Sequence, residues 1–120
     1  MAKRVLMIED FPVIQKFYKS ALEQAGYQLD IAASGDEALR IVAENEYDII
    51  LLDLLLPTIN GIEFLEQFSN RPANTKIFVL SDFTDESRIQ RARELGVSDY
   101  LVKSDNPPSE LVKKLDAIGE

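Results

Sequence analysis

The sequence predicts an α/β protein built on a doubly wound, five-stranded parallel sheet with helices on both faces. Three observations lead there. Short apolar runs, of which Ile49 to Leu52 is the most continuous, alternate five times with longer stretches of helical periodicity. Runs without polar interruption suit strands covered on both faces, and strand–helix alternation implies parallel, right-handed crossovers. The residues able to do chemistry also cluster where these strands end, and sheets of this type open their ligand crevice at the strands' carboxyl ends. For five strands the common doubly wound order is 2-1-3-4-5, with the crevice between strands one and three.

Each element has its own justification. Arg4 to Ile8 (RVLMI) reads as the first strand and runs into the acidic pair Glu9-Asp10. Pro12 suits a first helical turn, Ile14, Phe17, Leu22 and Ala25 recur at roughly helical spacing, and Gly26 is placed to end that helix. Gln28 to Ala32 is a short second strand. Ser34 with Glu37 matches a capping box, opening a helix whose apolar face holds Ala38, Leu39, Val42 and Ala43. Asp48 to Leu52 is the central strand and delivers Asp53.

Asn60 can cap a helix carrying Ile62, Leu65 and Phe68. After a loop, Lys76 to Leu80 (KIFVL) is the fourth strand and ends at Ser81. Thr84 is expected to cap the next helix, which Gly96 closes. Only Ile89, Ala92 and Leu95 are apolar there among many charges, so that helix should hold the sheet weakly. Asp99 to Val102 is the fifth strand, ending at Lys103. Asn106-Pro107 starts a last helix with Leu111, Leu115 and Ile118 on one face and Val112 beside them.

Composition excludes several classes of function. The 120 residues, 46% of them apolar, fit one domain spanning residues 1–120 with a real core. A net charge of −8 without a basic run argues against direct nucleic-acid binding. The chain contains neither cysteine nor histidine, which removes thiolate chemistry and the commonest general base and metal ligand. The segment MAKRVLMIED has too short an apolar core for a signal peptide, and no apolar run approaches the ~20 residues of a membrane span. The expectation is a soluble, cytoplasmic protein without a membrane partner.

Under the 2-1-3-4-5 order, strand one delivers Glu9 and Asp10, strand three Asp53, strand four Ser81 and strand five Lys103. Strand two, away from the crevice, ends in Ala32-Ala33. Three carboxylates in one crevice repel unless something cationic joins them, and one lysine is not enough. A divalent ion such as Mg²⁺ completes the set, because it prefers carboxylate, water and phosphate oxygens. With a phosphoryl group added, the metal and Lys103 neutralise its oxygens, Ser81 donates to one, and Asp53 is positioned as nucleophile.

These residues carry a resemblance. Glu9-Asp10, Asp53 followed by Leu56-Pro57 and Gly61, then Ser81, Tyr100 and Lys103 resemble the two-component response-regulator receiver domain over essentially the whole chain. Receivers are among the proteins that define the flavodoxin-like strand order, so that order is not an independent derivation. The resemblance implies that Asp53 is the phosphoacceptor and that Asp10 and Asp53 ligate Mg²⁺ directly. It implies that Glu9 acts largely through water, that the Leu55 carbonyl is a backbone ligand, and that Lys103 binds a phosphoryl oxygen. Ser81 and Tyr100 resemble the switch pair that alters a partner-binding face.

The implied donor is a phosphohistidine on a sensor histidine kinase or phosphotransfer protein, in keeping with a chain that has no histidine. The implied recipient of the signal is a downstream effector or output domain. The alternative context is a receiver segment of a longer regulator with a DNA-binding or enzymatic output domain. Either way no external substrate would be turned over, only phosphorylation and dephosphorylation of Asp53 itself.

Asp82 follows the switch hydroxyl where the family usually has a small residue, and Ser104 follows Lys103 where the family usually has proline. Leu55 and Phe83 are apolar at positions that flank the phosphoryl group in the family. Asp82 could face the path to Asp53, or turn outward to cap the helix that begins near Thr84. A haloacid-dehalogenase-type phosphatase would need a second Asp where Leu55 stands. A nucleotide-binding module would want a glycine-rich loop where EDFPVI stands.

Overall fold

The computed structural model describes residues 3–82 and 85–118. Strands and helices alternate as β1 (Arg4–Ile8), α1 (Pro12–Gln24), β2 (Gln28–Ala32), α2 (Gly35–Glu44), β3 (Ile49–Leu52), α3 (Gly61–Gln67), β4 (Lys76–Ser81), α4 (Glu86–Glu94), β5 (Asp99–Val102) and α5 (Pro108–Ile118). The five strands form one sheet, all neighbours parallel, in the order β2-β1-β3-β4-β5.

Side-chain alternation along the strands divides the core into two layers. Leu6, Ile8, Ile50, Leu52, Ile77 and Val79 pack on one face with Ala38 of α2, Phe64 and Leu65 of α3 and Ala92 of α4. Val5, Met7, Ile49, Leu51, Phe78 and Leu80 pack on the other with Tyr18 and Leu22 of α1 and Leu111 and Leu115 of α5. All four residues of β3 are buried, as a central strand covered on both faces requires.

Several boundaries differ from expectation for identifiable reasons. β3 begins at Ile49, because the Asp48 side chain turns back to accept from the Arg4 N–H at 2.8 Å. In α1 the buried aromatic is Tyr18, whereas Phe17, expected on the apolar face, is 62% exposed. Tyr18 is drawn in because its hydroxyl donates to the Asn106 carbonyl at 2.8 Å, which satisfies the one polar atom that burial would strand. Ser34 accepts from Glu37 N–H as a cap should, but the Glu37 carboxylate returns to Ala33 N–H, one residue before the cap. The box at Asn60 is complete, with Glu63 reciprocating. Residue Asp85 takes the cap position of α4; the expected cap Thr84 lies outside the described residues. A single 3-10 turn, Lys103–Asp105, intervenes before α5, which starts at Pro108 and not at Asn106-Pro107.

Glycine 61 is required by the backbone around Asp53. A Cβ there would stand 2.7 Å from the Asp53 carbonyl oxygen and 2.7 Å from Leu54 Cα. Neither atom is the free end of a side chain, so the β3–α3 turn itself would have to move. Gly61→Ala should destabilise the fold by about 1–3 kcal/mol, the usual range for overpacking, measured by urea unfolding. A midpoint equal to wild type would show that the turn yields.

Candidate functional site

Parallel strands that all end at one edge bring their following residues together. Glu9 follows β1 and is 1% exposed, Asp53 follows β3 and is 7% exposed, and Ser81, at the end of β4, is 1% exposed. Asp53 and Ser81 border a crevice of about 290 Å³ that is also lined by Phe11, Leu55, Asp82 and Lys103. Both oxygens of Asp53 are engaged. Oδ1 accepts from the Ser81 hydroxyl at 2.9 Å and from the Leu55 N–H at 3.2 Å, and Oδ2 accepts from the Lys103 ammonium at 3.1 Å.

Lys103 reaches Glu9 as well, with Nζ 2.6 Å from Oε1. The other Glu9 oxygen accepts from Phe11 N–H at 3.2 Å, and the Glu9 carbonyl accepts from the Gln15 side chain at 2.6 Å. The first turn of α1 thus fixes the end of β1. Burial pushes the Glu9 carboxyl above its ordinary value, against the opposing hydrogen bonds from Lys103 and Phe11. Burial alone would depress the Lys103 ammonium, but the hydrogen bonds and charges of Glu9 and Asp53 outweigh it and hold the group above its ordinary value.

The chemistry of this cluster fits a hard cation. Oxygens of Glu9, Asp10 and Asp53 lie within 4.8 Å of one another. Asp10 Oδ1 is buried and has no hydrogen-bond partner among the described residues. A buried carboxylate oxygen left unpaired is costly, and a metal ligated at that point removes the cost. Among the described residues these three carboxylates meet one ammonium, that of Lys103, so the site has room in its charge balance for a divalent ion.

Tyr100 is half-buried on β5 and packs against the layer that contains α2, α3 and α4. Its phenol is pushed up by burial first and by the Asp53 charge second, while a hydrogen bond with Ser81 opposes the shift. Leu55 presents its side chain at the rim, 52% exposed. Asp82 lies ahead of Asp85, the N-cap residue of α4, and its Oδ1 accepts from the Ser104 N–H at 2.8 Å, across the mouth of the crevice. Phe83, expected beside the site, lies outside the described residues.

Sequence reasoning missed two supports of this site. One is the Asp82–Ser104 bond. The other is Asn106, buried behind Lys103, whose side chain donates to the Val102 carbonyl at 2.8 Å and accepts from Lys114. An Asn before Pro-Pro reads as an ordinary turn, so no local signal set it apart.

A doubly wound sheet with this acidic crevice between the ends of β1 and β3 defines a class of carboxylate-centred, cation-competent α/β domains. Comparison with known proteins specifies the class further. The response regulator receiver domain family matches residues 5–116, and the chain belongs to that family. It is 30% identical to chemotaxis protein CheY of Thermotoga maritima over 121 residues, covering 100% of both chains. It is 34% identical to the transcriptional regulatory protein ResD of Bacillus subtilis over 115 residues, covering 96% of this chain and 47% of ResD. The chain thus spans about half the length of several regulators that it matches.

Among solved structures, a CheY-like receiver domain protein from Methanospirillum hungatei superposes with a TM-score of 0.92 at 25% identity, covering 98% of this chain and 94% of the other. CheY4 of Vibrio cholerae gives 0.82 at 28% identity, covering 98% and 99%. Receiver domains are signalling switches of two-component systems and not enzymes that turn over an external substrate. No helix among the described residues is long and apolar enough to cross a membrane.

Proposed function

We propose that this chain is a phosphorylation-dependent switch in which Asp53 accepts a phosphoryl group from a phosphohistidine of a sensor histidine kinase or phosphotransfer protein. The observation that carries this reading is the surround of Asp53. Hydroxyl and ammonium donors meet its two oxygens, and the unpaired Asp10 oxygen stands in the same acidic cluster.

In the reaction an Asp53 carboxylate oxygen forms a bond to phosphorus. The bond from phosphorus to the donor's imidazole nitrogen breaks, and its electron pair returns to the imidazole. Ser81 and Lys103, which hold Asp53 in the resting site, are then placed to donate to phosphoryl oxygens. Asp10 and Asp53, with Glu9 largely through water and the Leu55 carbonyl, would hold Mg²⁺. When bound, that ion neutralises charge on the phosphoryl oxygens. Attack and later hydrolysis concern Asp53 alone, so the chain acts on itself and on no external substrate.

Residues 1–120 form one receiver domain in this reading, acting in the cytoplasm on a downstream effector protein without binding nucleic acid or membrane itself. A second reading, in which the domain precedes an output domain in a longer regulator, is favoured by the half-length match to ResD.

Incubation with Mg²⁺ and acetyl phosphate tests the proposal. Wild type should take up one phosphoryl group, removable by hydroxylamine, and both chelation and Asp53→Asn should abolish uptake. Undiminished uptake in Asp53→Asn would falsify the assignment.

Signal output should use the α4–β5 side. Within α4 only Ala92 is buried, and its exposed ion pair from Arg91 to Glu66 of α3 adds little hold. Ser81 leads into this segment and Tyr100 follows it, so new contacts of Ser81 with a phosphoryl group would bias its conformational equilibrium. Amide exchange on phosphorylation should change most between residues 82 and 103. A largest change in α1 or α2 would place the output face elsewhere.

A further inference from the structure

Two adjacent residues at the end of β4 reach in different directions across the crevice. Ser81 Oγ donates to Asp53 Oδ1 at 2.9 Å, and Asp82 Oδ1 accepts from Ser104 N–H at 2.8 Å. Ser104 follows Lys103, whose ammonium meets the other Asp53 oxygen at 3.1 Å and Glu9 at 2.6 Å. The contacts close a ring: Asp53 to Ser81, through the backbone to Asp82, across to Ser104, through the backbone to Lys103, and back to Asp53. We propose that Asp82 is a positioning residue for Lys103, holding the 3-10 turn that aims the ammonium at Asp53; this rests on the phosphoacceptor reading above.

The turn needs such a hold. The strand pairing of β4 with β5 ends at Ser81 and Val102, so the sheet ladder does not extend to Lys103 and Ser104. Behind the turn, Asn106 fixes the Val102 carbonyl, and Asn106 N–H donates to the Lys103 carbonyl at 3.1 Å. On the crevice side, Asp82 holds the Ser104 amide. Ser104 is itself exposed.

Lys103 must keep its aim while the charge in front of it changes from a carboxylate to an acyl phosphate. A main-chain anchor does that better than ion pairs, which follow the moving charge. Asp82 has a second effect of opposite sign. Its charge lines the crevice with Asp53 and opposes an anionic phosphodonor. Removing the whole carboxylate mixes the two effects, whereas Asp82→Asn keeps an oxygen acceptor and removes only the charge.

The test compares wild type, Asp82→Asn and Asp82→Ala, each labelled for NMR. Three quantities are read: Ser104 amide exchange, the Lys103 ammonium resonance, and the initial rate of phosphorylation by acetyl phosphate with Mg²⁺ across donor concentration. In Asp82→Ala, Ser104 exchange should rise and the Lys103 resonance broaden, with other sheet amides unchanged. The rate at saturating donor should fall at least about fivefold, the loss expected for one orienting hydrogen bond. Asp82→Asn should keep both signals and be phosphorylated faster than wild type at low salt, the gain shrinking as salt rises. An Asp82→Ala variant that keeps both signals, or matches Asp82→Asn in rate, overturns the proposal. If wild type takes up no phosphoryl group, the phosphoacceptor reading fails, and the Ser104 and Lys103 signals still decide whether Asp82 positions the lysine.

Discussion

Replacing Lys103 with methionine is expected to lower the stability of the metal-free protein at neutral pH by about 3 kcal/mol, the low end for breaking a buried ion pair. The low end applies because the Lys103 side chain is 15% exposed, whereas the Glu9 side chain it meets is only 1% exposed. Methionine preserves most of the stem's packing, so the loss reports the charge. Without the ammonium, the donors left to Glu9 and Asp53 among the described residues are the neutral Phe11 and Leu55 N–H groups and the Ser81 hydroxyl.

The pH dependence of that loss has a definite sign. The folded Glu9 carboxyl stands above its ordinary 4.5, so its contribution to stability is complete below 4.5 and is lost as pH rises through the raised value. Lys103, above its ordinary 10.5 in the fold, contributes fully below 10.5 and loses that contribution only as pH climbs through its own raised value. Removing Lys103 therefore pushes Glu9 further up and removes a term constant across acid and neutral pH. The deficit of Lys103→Met should shrink as pH falls from neutrality toward 4.5. Urea unfolding at several pH values measures it, and a deficit constant over that range contradicts the electrostatic cause.

The second large effect is an inversion caused by metal. A ligand that binds only the folded state at about a hundred times its Kd stabilises by ~2.7 kcal/mol. Mg²⁺ in that excess should raise the wild-type melting temperature accordingly. Asp10→Asn removes one of three like charges and the ionised form of a buried, unpaired oxygen. In chelator this variant should melt higher than wild type, by roughly 1 kcal/mol in stability, because a buried charge without a partner beside like charges costs more than a neutral amide in its place. In Mg²⁺ the order should reverse. Asp53→Asn is a poorer probe of repulsion, because both Asp53 oxygens already have donors that its replacement would disturb. Parallel behaviour of wild type and Asp10→Asn with and without metal contradicts a role for Asp10 as ligand.

The fold was legible in the sequence wherever burial on two faces dictated composition. Ile49 to Leu52 and Lys76 to Leu80 could be little other than interior strands, and the strand order followed once alternation and family resemblance were recognised. The cluster of Glu9, Asp10, Asp53, Ser81 and Lys103 was legible for a topological reason: parallel strands share one carboxyl edge, so strand-end residues meet there.

What escaped was decided by single hydrogen bonds between distant residues. Helical spacing could not choose between Phe17 and Tyr18; the Asn106 carbonyl, 88 positions along the chain, chose Tyr18. Nor could the residue types reveal that Asp82, which lines the crevice with Asp53 as one of its two expected fates had it, also pairs with a backbone amide 22 positions on. The turn at Lys103–Asp105 was hidden for the same reason, since its hold comes from Asp82 and Asn106 and not from its own composition.

In the proposed reaction Asp53 itself carries the phosphoryl group, and chemical reduction locates the modified carboxyl. Borohydride reduces an acyl phosphate and leaves free carboxylates untouched, converting the modified aspartate to homoserine. After reaction with acetyl phosphate and Mg²⁺, reduction and peptide mapping by mass spectrometry should find homoserine at position 53 and unmodified Glu9, Asp10 and Asp82. Homoserine at position 10 or 82, with position 53 intact, would contradict it.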